Sequence, residues 1–136
     1  MIAKLNIVGK VIGKQRPKFS TRGGFVKTYT PDQTVNYENY VKMLWLQSGQ
    51  EKLTGNIKAT IDADFMIPKS FSKKKRNALD GAYCQKKPDC DNIAKSILDA
   101  LNGIAYDDDS QIVEIVVRKC YSGSGEGAVL TLEEVE

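Results

Sequence analysis

The order of apolar and polar residues predicts strands in several parts of the chain. Residues 57–67 alternate strictly, with Ile, Ala and Phe on one side and Lys, Thr and Asp on the other, which predicts a strand with one buried face. Residues 2–8 alternate more weakly and predict a first strand. Residues 111–121 and 127–133 predict two strands joined by a glycine-rich turn, and glycines at 23–24 mark the tip of an early hairpin.

Helical patterns lie between these strands. The first helix begins near Thr30, which is suited to cap it together with Gln33, and Pro31 suits its first turn. Residues 70–80 predict a short basic helix and residues 90–102 a longer, amphipathic one. The resulting order, β-β-β-α-β-α-α-β-β, predicts an α+β fold in which helices pack on a mixed, mostly antiparallel sheet.

Length and composition fit one small globular domain over residues 1–136. Hydrophobic residues make up 41% of the chain and charged residues 27%, which is enough apolar material for a core. No apolar run approaches the roughly 18 residues that a membrane span needs, and the N-terminus lacks a signal-peptide pattern. We therefore expect a cytoplasmic protein.

The residue types that are missing restrict the chemistry. The chain has no histidine, which excludes Ser-His-Asp and Cys-His nucleophile systems and histidine-ligated zinc. Cys84, Cys90 and Cys120 show no C-x-x-C spacing and fit reduced thiols. Acid–base or metal chemistry must therefore use carboxylates, lysines, tyrosines or water.

Charge is divided unevenly along the chain. Residues 1–87 contain 17 basic and 6 acidic residues, whereas residues 88–136 contain 3 basic and 11 acidic residues. This division suggests a basic surface for a polyanion beside an acidic cluster, although two ordinary solvated faces would give the same count.

The most informative carboxylates lie within residues 86–111. Asp89 and Asp91 stand at the start of the long helix, and its apolar residues form a single arc. At 100° per residue, Asp91, Lys95 and Asp99 form a stripe on the opposite side. The following loop carries three more aspartates at 107–109.

Each of these features also has a purely structural interpretation. Aspartates at a helix start cap free N–H groups, and aspartates in a loop are often solvated. Lys95 can form an ion-pair ladder with aspartates four residues away on either side. A calcium-binding EF-hand does not fit, because its glycine and its twelfth-position glutamate are missing.

The combination of helix aspartates, loop aspartates and a lysine between them favours a metal site. Carboxylates that lie close together repel one another unless a cation binds between them. Oxygen ligands without histidine or cysteine select Mg²⁺ or Mn²⁺, which can activate water and stabilise phosphoryl displacement. A lysine beside such an ion can hold the scissile phosphate.

The segment KPDCDNIAKSILDALNGIAYDDDSQI resembles the RusA-type Holliday junction resolvases. That family shows Asp-x-Asp-Asn, a lysine four residues on, Asp-Ala-Leu and a loop ending in Asp-Asp-x-Gln, and every element is present here. The N-terminal KQRPKFSTRGG and TYTPDQTVNYE also resemble the phage and prophage branch of the family. The resemblance covers nearly the whole chain.

The resemblance implies specific roles at matching positions. The metal-binding catalytic aspartates fall on Asp89, Asp91 and Asp109, with Asp108 held in reserve because the loop contains an extra aspartate. The catalytic lysine falls on Lys95. Asp99 matches the aspartate of Asp-Ala-Leu and is expected to be structural or to support the ligands. The family also implies a homodimer, whose two-fold symmetry suits two symmetric nicks.

Candidate DNA contacts come from the basic residues, and three phenylalanines are considered as wedges at a junction centre. Phe19, Phe25 and Phe71 are the phenylalanines, with a place in the core as the default expectation for each. The basic candidates are Arg16, Lys18, Arg22, Lys73, Lys74, Lys75, Arg76, Lys86 and Lys87.

The sequence thus predicts a Mg²⁺-dependent endodeoxyribonuclease, with Mn²⁺ as a substitute, that cuts four-way DNA junctions in recombination and repair. The alternatives are a less selective nuclease for branched DNA, a catalytically silent DNA-binding protein of a phage recombination system, and a protein–protein module with no DNA affinity.

Overall fold

The computed structural model describes residues 1–24, 26–29 and 31–136, with the backbone alone at residues 22, 27 and 29. The strands are β1 (Ile2–Val8), β2 (Lys18–Ser20), β3 (Lys27–Tyr29), β4 (Asn56–Met66), β5 (Ile112–Ser122) and β6 (Gly127–Val135). The helices are α1 (Asp32–Ser48), α2 (Lys73–Leu79) and α3 (Cys90–Ala100). The predicted order of elements and the α+β class are confirmed, with ends that differ by a few residues.

The main sheet has the strand order β1-β6-β4-β5. β4 pairs antiparallel with β6 and parallel with β5, and β1 pairs antiparallel with β6. The two strands joined by the glycine-rich turn are therefore not neighbours, because β4 lies between them. β5 is left at one edge of the sheet, and β2 and β3 form a separate two-stranded arm.

The core lies between the sheet and the helices α1 and α3. The alternating residues of β4 face it as predicted, with Ile57 and Ile61 fully buried. α3 contributes its apolar arc, in which Ile93 and Ile97 are fully buried, and burial of such a side chain stabilises the fold by about 1.5–3 kcal/mol. Burial of this arc fixes which face α3 turns to solvent.

The start of α1 differs from the prediction. Pro31 has an extended ψ of 143° and occupies the N-cap position, so it lies one residue before the helix rather than within its first turn. No side-chain cap hydrogen bond forms there, and the Gln33 side chain instead accepts a hydrogen bond from Gln15 Nε2 at 2.9 Å. The predicted capping residue, Thr30, lies outside the described residues.

Within the described part of the chain, each helix is too short or too polar to cross a lipid bilayer.

Candidate active site

The outer face of α3 forms one wall of a cavity of about 540 Å³. Asp91, Lys95 and Asp99 line it, in agreement with the predicted stripe. β5 supplies much of the opposite wall through Ile115 and Val117. We call this space the acidic cavity. Its full lining is Cys90, Asp91, Ala94, Lys95, Leu98, Asp99, Asp109, Ile112, Ile115 and Val117.

The three consecutive loop aspartates have three different environments. Asp107 is exposed and pairs with Lys52, with 3.0 Å between Nζ and Oδ1. Asp108 binds backbone groups of its own loop and holds that loop together. Asp109 lines the acidic cavity. One residue of this run therefore faces the candidate site, as the motif match predicts.

Asp108 is the N-cap of a short 3₁₀ turn over Asp109–Gln111. Its carboxylate accepts the Ser110 N–H at 3.0 Å, while the Gln111 side chain accepts the Asp108 N–H at 3.0 Å. Asp108 and Gln111 together form a capping box, in which the Asp108 side chain also accepts the backbone N–H of Gln111. The hydrogen bonds from Ser110 hold the pKa of Asp108 below its ordinary value.

Two further bonds fix the turn from outside. Gln111 Nε2 donates to the Gly55 carbonyl at 3.1 Å, and Asn102 Oδ1 accepts the Asp109 N–H at 3.1 Å. The aspartates and the glutamine of Asp-Asp-x-Gln therefore have different structural roles. Asp108 and Gln111 shape the loop, and Asp109 is left at the cavity.

Asp89 lies outside the acidic cavity, although it is the N-cap residue of α3. Its carboxylate makes no capping hydrogen bond and is instead held by Lys87 Nζ, at 2.8 Å and 3.0 Å from the two oxygens. That hydrogen bond lowers the pKa of Asp89 below 3.8, with further help from the charges of Lys87 and Lys119. The capping interpretation of the Asp89 side chain is therefore wrong.

Lys95 has an exposed side chain and, within the described ranges, forms no ion pair. The ladder with Asp91 and Asp99 is therefore absent. A lysine ammonium on the wall of a cavity, free of a protein carboxylate, is available to an anionic ligand.

The donor chemistry of the acidic cavity fits a hard divalent cation, since Asp91, Asp99 and Asp109 offer carboxylate oxygens. However, no three His, Cys, Asp or Glu side chains among the described residues are grouped closely enough to hold a metal ion. Asp91 and Asp109 share the cavity, and Asp89 stands beside it, bound to Lys87. The predicted set of three ligands is only partly brought together.

The predicted DNA contacts fall in three places. Lys86 and Lys87 line a depression together with Lys10, and Lys10 and Lys87 also line an adjoining one. We call the surface of Lys10, Lys86 and Lys87 the basic groove. Arg16 and Lys18 are exposed near the hairpin arm.

The α2 residues form a separate basic surface. Lys73, Lys74 and Lys75 are exposed, and Arg76 is half-buried beside Lys73 in another depression. Lys75 Nζ lies 3.8 Å from the centre of the Phe71 ring. Arg22 is described by its backbone alone.

The default expectation for the phenylalanines is wrong at Phe19, whose side chain is 73% exposed on β2. Phe71 is half-buried, and Phe25 lies outside the described residues. The three-residue strands of the hairpin are too short to carry a buried face, which explains the exposure of Phe19.

The sequence interpretation missed Lys14. Its Nζ hydrogen-bonds to the Glu38 carboxylate of α1 and lies 3.5 Å from Asp99 Oδ2. Burial lowers the pKa of Lys14, but Glu38 and Asp99 raise it on balance. The signal in the sequence was Gly13, where an added Cβ would lie 2.5 Å from Pro88 Cβ and 3.1 Å from Asn92 Cβ, so this segment approaches α3 closely.

Comparison with known proteins assigns the chain to a family. Residues 9–133 match the family model described as endodeoxyribonuclease RusA. This chain belongs to the RusA family. An uncharacterised protein of Bacillus subtilis strain 168, YqaN, is 36% identical over 124 residues, which cover 88% of this chain and 87% of that protein. RusA membership implies endodeoxyribonuclease activity and places the acidic cavity in a nuclease.

Proposed function

We propose that the protein is a divalent-metal-dependent endodeoxyribonuclease that resolves four-way DNA junctions. The observation that carries the proposal is the acidic cavity, where Asp91 and Lys95 of α3 meet Asp109 of a separate loop in a RusA-family chain. Carboxylates and one unpaired lysine beside a groove for a polyanion are the parts that phosphodiester hydrolysis needs.

Asp91 and Asp109 would hold Mg²⁺ or Mn²⁺, with Asp89 as the third predicted ligand. Such an ion, when bound, supplies water activation and neutralises charge on the phosphate. Lys95 binds a non-bridging phosphate oxygen and stabilises the negative charge that develops there. The products are a 5′-phosphate and a 3′-hydroxyl.

The basic groove would guide the DNA backbone toward the cavity. Lys87 connects the two regions, because it lines the groove and is bound to Asp89. Lys86 is exposed beside it, with Nζ 5.8 Å from the centre of the Tyr121 ring. Lysines on a surface of this kind bind phosphates by charge without reading the base sequence.

We infer that a second copy of the chain pairs with the outer edge of β5. An isolated bridge between Tyr83 and Cys120 covers one part of that edge, while Val113 and Ile115 remain 58% and 49% exposed. Antiparallel pairing of two copies about Val116 places each Glu114 opposite the partner's Arg118, but within one chain these groups already pair with Lys58 and Asp62. The exposed apolar side chains on this edge strand therefore carry the interface.

The interface is tested by light scattering on Ile115→Lys, which places two like charges near the two-fold axis and is expected to give monomers. Met43→Lys, at an exposed apolar position on α1, is the matched control and should remain dimeric. An Ile115→Lys protein that stays dimeric places the interface elsewhere, and a monomeric parent protein contradicts the homodimer itself.

The function is tested by incubating the protein with a synthetic four-way junction and with linear duplex, with and without Mg²⁺, and mapping the nicks. We expect paired symmetric nicks in the junction that a ligase can seal, and none in chelator. Equal cutting of junction and duplex would favour the less selective nuclease. Binding without cutting in Mg²⁺ or Mn²⁺ would favour the silent DNA-binding protein.

A further inference from the structure

Lys14 is fixed in front of α3 by its backbone and its side chain. Its N–H donates to the Asn92 carbonyl at 2.8 Å, and Ser96 Oγ donates to the carbonyl of Ile12 at 2.7 Å. Its side chain is only 23% exposed and is held by Glu38, which is itself 17% exposed. The ammonium therefore has little freedom to leave this position.

The partner that Lys14 holds on α3 is also within reach of Lys95. Asp99 follows Lys95 by four residues, a spacing at which oppositely charged helix side chains pair. Lys14 Nζ nevertheless lies 3.5 Å from Asp99 Oδ2, and within the described residues Asp99 forms no ion pair with Lys95. Both Asp99 and Lys95 line the acidic cavity.

We propose that Lys14 is a positioning residue that keeps the Asp99 carboxylate away from Lys95. The Lys95 ammonium then remains open to the cavity, where the ligand is an anionic phosphodiester oxygen. This inference rests on the proposed function for the role of Lys95, but the arrangement of charges can be tested without DNA or metal. Glu38 belongs to the same arrangement because it holds Lys14 from α1.

The test is trace acylation of the whole protein with acetic anhydride, followed by peptide mass spectrometry at Lys95. An unpaired amine reacts faster than one held by a carboxylate. Lys14→Met frees Asp99 to pair with Lys95, so Lys95 labelling should fall about twofold, the size of an exposed i,i+4 pair. Adding Asp99→Asn removes the competing carboxylate and should restore the parent rate.

Controls separate this effect from general damage. Lys14→Arg keeps the positive charge and should keep the parent labelling rate. Lys52→Met removes another lysine–aspartate pair, at 3.0 Å from Asp107, and should leave Lys95 labelling unchanged. If Lys14→Met does not fold, Glu38→Gln loosens Lys14 without removing it and should lower Lys95 labelling by a smaller factor.

Cleavage supplies the second readout. Lys14→Met should lower kcat for junction cleavage at least about twofold, measured at saturating junction because Lys14 also lines the depression that it shares with Lys10 and Lys87. Unchanged Lys95 labelling in folded Lys14→Met overturns the inference even if the parent enzyme cleaves junctions. A parent enzyme that does not cleave overturns the proposed function, whereas the labelling result still decides the role of Lys14.

Discussion

The acidic cavity and the basic groove adjoin at Asp89 and Lys87, yet they are built differently. In the cavity, two carboxylates are placed by other residues: the turn at Asp108 leaves Asp109 at the wall, and Lys14 lies 3.5 Å from Asp99. In the groove, Lys86 and Lys87 are exposed side chains, and the Lys87 side chain is 83% exposed. The cavity therefore depends on placement, and the groove depends on total charge.

This difference predicts different responses to substitution. A site that depends on placement loses most of its function when one group changes, because the remaining groups cannot move into its position. A surface that depends on total charge loses a small, similar amount for each residue removed.

The largest effect is expected for Asp109→Asn. The substitution preserves shape but removes a carboxylate charge from the cavity wall, so junction cleavage in Mg²⁺ should fall at least about 100-fold, as when one precisely placed catalytic group is removed. Junction binding measured in chelator should persist because the groove is untouched. Nick mapping and a gel-shift titration measure the two quantities.

The neighbouring residue provides the control. Asp108→Asn retains an oxygen acceptor at an N-cap, where asparagine and aspartate cap almost equally well, so cleavage should stay within a few-fold of the parent. Cys90→Ser, in the lining of the same cavity, should also retain cleavage because no histidine activates the thiol. If Asp108→Asn lost more cleavage activity than Asp109→Asn, then Asp108 rather than Asp109 would be the catalytic carboxylate.

The sequence could predict α3 and its outward charges because one amphipathic helix determines both. Burial of Ile93 and Ile97 leaves only one direction for Asp91 and Lys95. It could not distinguish Asp108 from Asp109 by chemistry alone, because the capping box depends on how the loop closes on Gln111. The choice of Asp109 as a ligand came from matching a family pattern and stays a prediction, and the structure adds that Asp109 lines the acidic cavity.

Other features depended on interactions between distant parts of the chain. The short turn between β5 and β6 predicts that these strands are neighbours, and it gives no sign that β4 lies between them. Lys14 was missed because a charged residue in a glycine- and proline-rich segment is normally exposed. Its partners, Glu38 and Asp99, are 24 and 85 positions away in the sequence.

An intermediate effect is expected in the basic groove. Lys86→Ala combined with Lys87→Ala should reduce the slope of log affinity against log salt by about two, roughly one unit for each phosphate that the protein no longer neutralises. Affinity is measured on one junction in chelator at several salt concentrations. An unchanged slope would place the DNA elsewhere on the protein.

The control for that measurement makes the same change in charge outside the groove. Lys4→Ala combined with Lys52→Ala should leave the slope near the parent value. The double variant Lys73→Ala with Lys74→Ala then decides whether α2 also binds DNA, since a reduced slope there would add α2 to the binding surface.

The smallest effect is expected at Asp64, a carboxylate that lines a depression with Lys10, Lys86 and Lys87. Burial raises the pKa of Asp64 above 3.8, and the charges of Asp62 and Asp80 raise it further. The folded state therefore binds this proton more tightly than the unfolded state does. The contribution to stability is fully present below pH 3.8 and is lost as pH rises through the folded pKa.

Asp64→Asn replaces the carboxylate with a neutral group of the same shape and should raise Tm slightly at pH 7. The gain should disappear below pH 3.8, where the parent carboxyl is itself protonated. Asp62→Asn is the control with the opposite sign, because it removes the ion pair that Asp62 forms with Arg118 at 2.8 Å and should lower Tm slightly at pH 7. Thermal unfolding at both pH values measures the change in Tm, and an equal gain at both would show that packing rather than charge is responsible.

Asp64→Asn should also tighten junction binding slightly, because it removes a negative charge from a surface whose affinity depends on total charge.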